Sequence, residues 1–419
     1  MDTRRRRLTL VVIVLSNFCA VCCMSLIAPF FAIEATKKGV SLTVVGVIYS
    51  SSELVIFLSS PVFGYLLSTF SPRLFYIGGL CLFGCCDIIF GCLGTVTSTI
   101  PFIVACFFVR SIEALGTASV MTSSFTIAGI CYPERIATVY GVLKSATGAA
   151  LMIGPAIGGG FYEVGGHSQR IRDRVDGFAR VAEPYTSSNL SPVSPTKRQS
   201  RFHVLGNPSV WFGILSIAVT FFGTGCALPF YAKHLTQFHL SQGIIGVIYM
   251  TAPAGFALST PLWGYLLDKH LSETPTLWVG LCCVSVSFLL FGPAPFLGVV
   301  PMLWLSILTY SIIGLSFAPV SVSAMKSIYR GARDGGLEDD GATFGFLAGI
   351  IQSSTYIGTF SGPLLGGIIV DHFGFQWLMT ACSILIMVTC LSFLPFLVIT
   401  LWRKYRLRTA NTGGYLELE

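Results

Sequence analysis

Apolar residues fall in long blocks separated by short polar breaks over most of this chain. A helix that crosses a bilayer needs about 20 mostly apolar residues. Blocks of that length lie at 8–33, 44–68, 74–94, 100–130, 138–162, 210–230, 244–267, 276–297, 301–328, 342–370 and 376–401, which predicts eleven spans. One stretch breaks the pattern. Residues 163–209 hold His167, Arg170, Arg172, Arg174, Arg180, Lys197, Arg198 and Arg201, with a Ser/Pro-containing run from Ser187 to Pro195. Nothing there is apolar enough to cross lipid, and its composition predicts a basic, disordered linker. The expected organisation is a first bundle of five spans over 1–162, this linker over 163–209, a second bundle of six spans over 210–401, and a tail over 402–419.

The two bundles are copies of each other. Residues 46–67 read GVIYSSSELVIFLSSPVFGYLL and residues 246–267 read GVIYMTAPAGFALSTPLWGYLL, with 11 of 22 positions identical. Gly154-Pro155-Ala-Ile-Gly158-Gly159 is matched by Gly362-Pro363-Leu-Leu-Gly366-Gly367. Apolar bias yields chance identities, but not Pro and Gly matched in two separate helices. A duplicated half is the reading that follows.

Composition agrees with a membrane solvent. Charged residues make up 11% of the chain, against about 25% in soluble domains. With so few charges the surface must face lipid, and the bilayer is the chain's first partner. The net charge of +7 comes from clusters at segment ends, Arg4–Arg7, Lys197–Arg201 and Arg403–Arg408, which is the positive-inside pattern and not a nucleic-acid signal. Nearly all of the 14 cysteines lie inside apolar runs, with no spacing that suits a zinc site or a disulfide framework, so they are read as packing residues. The apolar block behind the N-terminal arginines is too long for a signal peptide and is read as a retained first span. No phosphate-binding loop or enzyme motif is present, so neither catalysis nor nucleotide-driven pumping is expected, nor any metal or cofactor.

Each span flips the side of the next loop. Two halves with the same orientation, and three basic segments all on the cytoplasmic side, require twelve spans, not eleven. The simplest account is a missing sixth span, just before or within 163–170, from a skipped exon or a faulty gene prediction.

Two six-helix halves in parallel repeat, joined by a polar loop, resemble the major facilitator superfamily, in which the halves rock about a central site. The loop motif that follows its second helix is similar to Gly64-Tyr-Leu-Leu-Ser68 with Arg73, where Ser68 stands in place of the usual acid. The second copy, Gly264-Tyr-Leu-Leu-Asp268-Lys269, keeps the acid. Gly148–Gly159 (GAALMIGPAIGG) resembles the antiporter motif of drug and vesicular amine exchangers. Pro29–Gly39, Phe108-Val-Arg110, Ala137–Gly141 and Ser361–Gly367 resemble the vesicular polyamine transporter branch of the vesicular amine transporters. The resemblance implies an all-α membrane fold and proton-coupled exchange of amines or polyamines, in a secretory vesicle or endolysosomal membrane, by a monomer. The chain departs from these relatives in the second half. The span over 301–328 carries Lys326 and no acid, and the span over 342–370 offers Gln352, with Asp371 just past its end.

Ionisable groups inside a bilayer cost about 2.5–3.5 kcal/mol each by insertion scales, so each is a functional candidate. Glu53, near the middle of the second span, has Pro253 as its repeat counterpart and so is not shared scaffolding. It is either a proton carrier and cation counter-ion, or a neutral carboxyl bonded to Ser50, Ser51 or Ser52. Arg110 and Glu113 stand at i and i+3 on one helix face, as an ordering ion pair or as a coupling switch. Asp87 is a ligand or a partner for a basic neighbour in its own half. Lys144 either snorkels to the cytoplasmic end or pairs with Glu53, Asp87 or Glu113. Asn17 offers an amide to the solute. Gly154, Pro155, Gly158 and Gly159, and their matches Gly362, Pro363, Gly366 and Gly367, suggest a bend and a tight contact between halves that acts as a gate, or plain packing. The alternative reading of the whole is a carrier of a neutral or anionic solute, or an inactive form lacking one helix. Three short patterns complete the inventory: a phosphorylation pattern at Ser194–Lys197, a glycosylation sequon at Asn189 that would be cytoplasmic and unused, and a sorting pattern at Tyr415–Leu418.

Overall fold

A computed structural model describes residues 3–165 and 201–413. The Asn189 sequon, the Ser194–Lys197 pattern and the Tyr415–Leu418 pattern lie outside the described residues. Among those described the secondary structure is helical throughout: α1 (Thr3–Lys37), α2 (Leu42–Leu66), α3 (Pro72–Cys92), α4 (Thr99–Cys131), α5 (Ile136–Gly165), α6 (Pro208–Leu235), α7 (Gln242–Lys269), α8 (Glu273–Phe291), α9 (Leu303–Asp334), α10 (Gly341–Phe373), α11 (Phe375–Ser392) and α12 (Leu394–Gly413). The last two form one span, interrupted at Phe393, so the predicted eleven are present. The repeat extends to the caps. Ser41 accepts from Val44 N at the start of α2, and Ser241 accepts from Ile244 N at the start of α7, each at 3.4 Å.

Ten of these segments are long and apolar enough to cross a membrane by length and composition alone. The exception is α10, whose 33 residues reach about 50 Å. It falls short in apolarity because much of its length packs against other helices rather than facing outward. It packs on α6 of its own half and on α2 and α4 of the other, and it buries Thr343, Gln352, Ser354 and Thr355 along the way. Many helical Ser and Thr hydroxyls donate to a carbonyl one turn back, as Ser60 does to Ile56 O at 2.7 Å, which lets polar side chains sit in a dry interior.

The halves are joined by two seams, α2 against α10 and α5 against α7. Both seams close at the ends of the helices that share a face with the N-terminus, here called the near face. A Cβ built on Gly64 would lie 2.7 Å from Gly345 O, and one on Gly264 would lie 2.6 Å from Ala137 O, so only glycine permits these approaches.

Helix direction settles the parity question. The start of α1 is on the near face, since Arg6 lies within electrostatic reach of Cys131 at the end of α4. The start of α5 is there too, beside Gly264 at the end of α7. So is the segment leading into α6: His203 bonds Gly335 O at 2.8 Å and Asn207 donates to Gly331 O at 3.0 Å, at the end of α9. Helices α5 and α6 therefore run parallel. The halves face the same way, with one helix fewer in the first among the described residues. In the second half α11 covers α8, with Trp278 donating to Cys390 O at 3.2 Å and Ser285 bonded to Ser383 at 3.0 Å. The first half is barer at the matching place: 28% of the apolar window of α3 is buried against 50% for α8, and 33% for α1 against 56% for α6.

Candidate functional site

The buried charges of the first half gather around Arg110. Its helix, α4, is pinned between α2 and α3, and the side chain is 1% exposed. One guanidinium nitrogen donates to both oxygens of Glu113, at 2.8 and 3.0 Å. The plane lies over the rings of Phe90 (4.7 Å) and Tyr49 (5.1 Å), so cation–π attraction replaces part of the lost hydration. Asp87 on α3, itself 5% exposed, lies within electrostatic reach of Arg110. Glu53 on α2 does as well. Three carboxylates thus share one guanidinium. A carboxylate held in a dry interior needs a proton or a cation to offset its charge.

Glu53 reaches beyond its own half. Its Oε2 accepts from the Thr359 hydroxyl of α10 at 2.8 Å. Of the serine partners expected from the sequence, Ser51 and Ser52 both donate to Ile48 O. The carboxyl therefore stands on the seam between halves, and a change in its charge acts on that seam. Thr359 was not visible in the sequence, because a single hydroxyl 306 residues away carries no pattern.

Lys144 departs from both expectations. It neither reaches the membrane face nor meets Glu53, Asp87 or Glu113. It is 8% exposed, and its ammonium is boxed by the rings of Phe125 (5.5 Å), Tyr140 (5.6 Å) and Phe221 (5.8 Å), the last from the other half. Lys326 sits near the end of α7, donating to Leu267 O and lying 3.9 Å from Asp268. Asn17 is turned to packing, accepting from Ser124 of α4 at 3.1 Å.

The gating glycines also need correction. Gly154 faces Ser25 and Cys22 of α1, and Gly362 faces Cys226, Gly225 and Phe222 of α6, with Gly366 against Phe230 and Cys226 and Gly367 nearest Phe230. These contacts of Gly154, Gly362, Gly366 and Gly367 lie within a half, not between halves. Pro363 lies inside α10. For Pro155, Gly158 and Gly159 the helix is described but their surroundings are not. The tight contacts between halves come instead from Gly64, Gly141, Gly264, Gly345 and Gly349.

The loop motif does join the halves. Asp268 at the end of α7 accepts from Thr138 N (2.7 Å) and Thr138 Oγ1 (2.6 Å) in the first turn of α5. A carboxylate at a helix N-terminus meets unpaired amides and the positive end of the dipole. In the first copy Ser68 donates only to Tyr65 O at 2.7 Å, and α10 is capped by its own Asp340, which accepts from Thr343 N at 2.7 Å. The loss of the acid at Ser68 is thus compensated locally. Arg73 lies half-buried in the first turn of α3.

Two bundles in parallel repeat, joined at seams between specific helix pairs, have the architecture of a membrane transporter. The Major Facilitator Superfamily profile matches residues 13–172 and 210–414, and the chain belongs to that superfamily. It is similar to the MFS-type transporter SLC18B1 of Homo sapiens, 29% identical over 401 residues that cover 94% of this chain and 87% of that protein. The Rattus norvegicus SLC18B1 is 30% identical over 400 residues with the same coverage. The resemblance to the vesicular amine transporter branch read from the motifs agrees with these relatives. Among solved structures, the human organic anion transporter MFSD10 (TETRAN) shares the fold, with a TM-score of 0.71 over 93% of this chain and 99% of that one, at 15% identity. The family match leaves out residues 173–209.

Proposed function

We propose that this transporter exchanges protons for small organic cations, amines or polyamines, by alternating access, with Glu53 as the group that takes up either a proton or the cation. The observation that carries this reading is the carboxyl of Glu53, in electrostatic reach of Arg110 and bonded across the seam to Thr359. A proton and a cationic solute each neutralise the same carboxylate, so each excludes the other, which is the requirement of an exchanger. Arg110 and Glu113 form the fixed pair that holds the cluster in place, and Asp87 shares its field. The near-face seams through Gly64, Gly264 and Asp268 form the gate that closes one side, and their release opens it. An acidic secretory or endolysosomal lumen would supply the protons, and one chain would form one pathway.

A second reading, transport of an anionic solute, draws support from Lys144, a buried ammonium with no acid beside it. Uptake by proteoliposomes with an acidic interior separates the two. Labelled spermidine or a monoamine should accumulate under the pH gradient and leak out when an ionophore collapses it. Gradient-independent spermidine uptake, or accumulation of organic anions in its place, would refute cation exchange.

A further inference from the structure

Lys144 is a buried cation with no acid beside it among the described residues. Its ammonium makes no hydrogen bond or ion pair among the described residues, and burial alone acts on it, with no charged group in electrostatic reach. The elements packed on α5 explain why. On α4 the nearest acid, Glu113, is held by Arg110. On α7, Asp268 is held by Thr138 and faces Lys326. On α1 the buried polar side chains nearest this depth are neutral, Ser16 and Asn17. From α6 Lys144 meets Phe221, and on α9 the titratable neighbour of this region is Tyr329, in electrostatic reach of Tyr140. What remains is a box of three rings, two from the first half (Phe125, Tyr140) and one from the second (Phe221), closed around a primary ammonium.

Such a box recognises ammonium groups as a class, because the ring faces attract any compact cation and demand no matching anion. We propose that Lys144 is a tethered stand-in for the solute: the box of Phe125, Tyr140 and Phe221 is a subsite for an ammonium group of the transported cation, and Lys144 fills it when solute is absent. This rests on the cation-exchange reading above and assigns that reading a second subsite. When a solute ammonium enters, two like charges cannot share the box. Lys144 then gives its Nζ proton to the water of the pathway, leaving a neutral amine, and the solute keeps its own charge. One bond to hydrogen breaks on Lys144 and one forms on water, so each cation bound releases one proton at this position. A divalent polyamine suits the arrangement, with one ammonium at Glu53 and another in the box.

The sign follows directly. At low pH Lys144 is charged, holds the box and weakens solute binding; as pH rises it yields the box and binding strengthens. Binding of labelled spermidine to the purified full chain, measured against pH, tests this. A single competing proton changes affinity by about tenfold per pH unit. The slope of log affinity against pH should fall by one in Lys144→Met, which keeps length and removes charge. Lys144→Arg, a permanent cation, should bind at least about tenfold more weakly than wild type at every pH, again with the slope reduced. Phe221→Leu should weaken binding and leave the slope intact, a pattern that loss of folding would not produce. A Lys144→Met slope equal to wild type, or Lys144→Arg binding as tightly as wild type, overturns the proposal. A wild-type chain that transports anions and binds no organic cation overturns the underlying reading instead.

Discussion

Glu53→Gln should eliminate proton-driven accumulation of an organic cation. The amide fills the same space and can still accept from Thr359, so the seam keeps its shape, but the side chain can neither take up a proton nor present a negative charge. A cation that relied on the carboxylate loses an ion pair in a dry site. Hydrogen bonds to charged groups are worth about 1.5–3 kcal/mol, so the affinity loss should be about tenfold to more than a hundredfold. Labelled-amine uptake with and without an imposed pH gradient checks it. Gradient-driven accumulation at the wild-type level in Glu53→Gln would remove Glu53 from the mechanism. Thr359→Val is the companion variant: it deletes the cross-half hydrogen bond and leaves the carboxyl chargeable, so it should alter transport rate more than coupling.

Arg110→Met should produce the largest loss of stability. The guanidinium pairs with Glu113 and lies within electrostatic reach of Glu53 and Asp87. Its removal leaves Glu113 without its partner at 2% exposure, and removing one member of a buried pair costs about 3–5 kcal/mol. The expected result is a marked fall in melting temperature of the detergent-solubilised chain and poor recovery from membranes. The double variant Arg110→Met/Glu113→Leu should regain much of that loss, because neither charge is then stranded. An Arg110→Met protein as stable as wild type, or a double variant no better than the single, would show that the pair is not the support of this cluster.

The helical class, the repeat and the spans were legible in the sequence because apolarity and duplicated Pro and Gly are periodic signals that survive without tertiary context. The same holds for Arg110 with Glu113, whose spacing alone places them on one turn. What was not legible depends on packing between distant segments. Thr359 is one hydroxyl among many on α10, and its value arises only because Glu53 stands opposite. Lys144 was read as a snorkelling or paired lysine because a sequence does not show that Phe125, Tyr140 and Phe221 converge from three helices. The glycine motifs were read as contacts between halves because their symmetry is visible while their facing is not; the glycines that close the seams, such as Gly345 and Gly349, lie in no motif. The low apolarity of α10 follows from the same cause, since a helix packed on both halves needs little lipid-facing surface.

The account depends on the near-face seams opening and closing during transport, and Thr138 with Asp268 spans one of them directly. Cysteines placed at both positions, in a chain whose exposed Cys81, Cys85, Cys92 and Cys283 are replaced by serine, should form a disulfide under mild oxidation. Transport by that form should stop and return on reduction. A disulfide-locked chain that carries its solute as fast as the reduced one would contradict the mechanism.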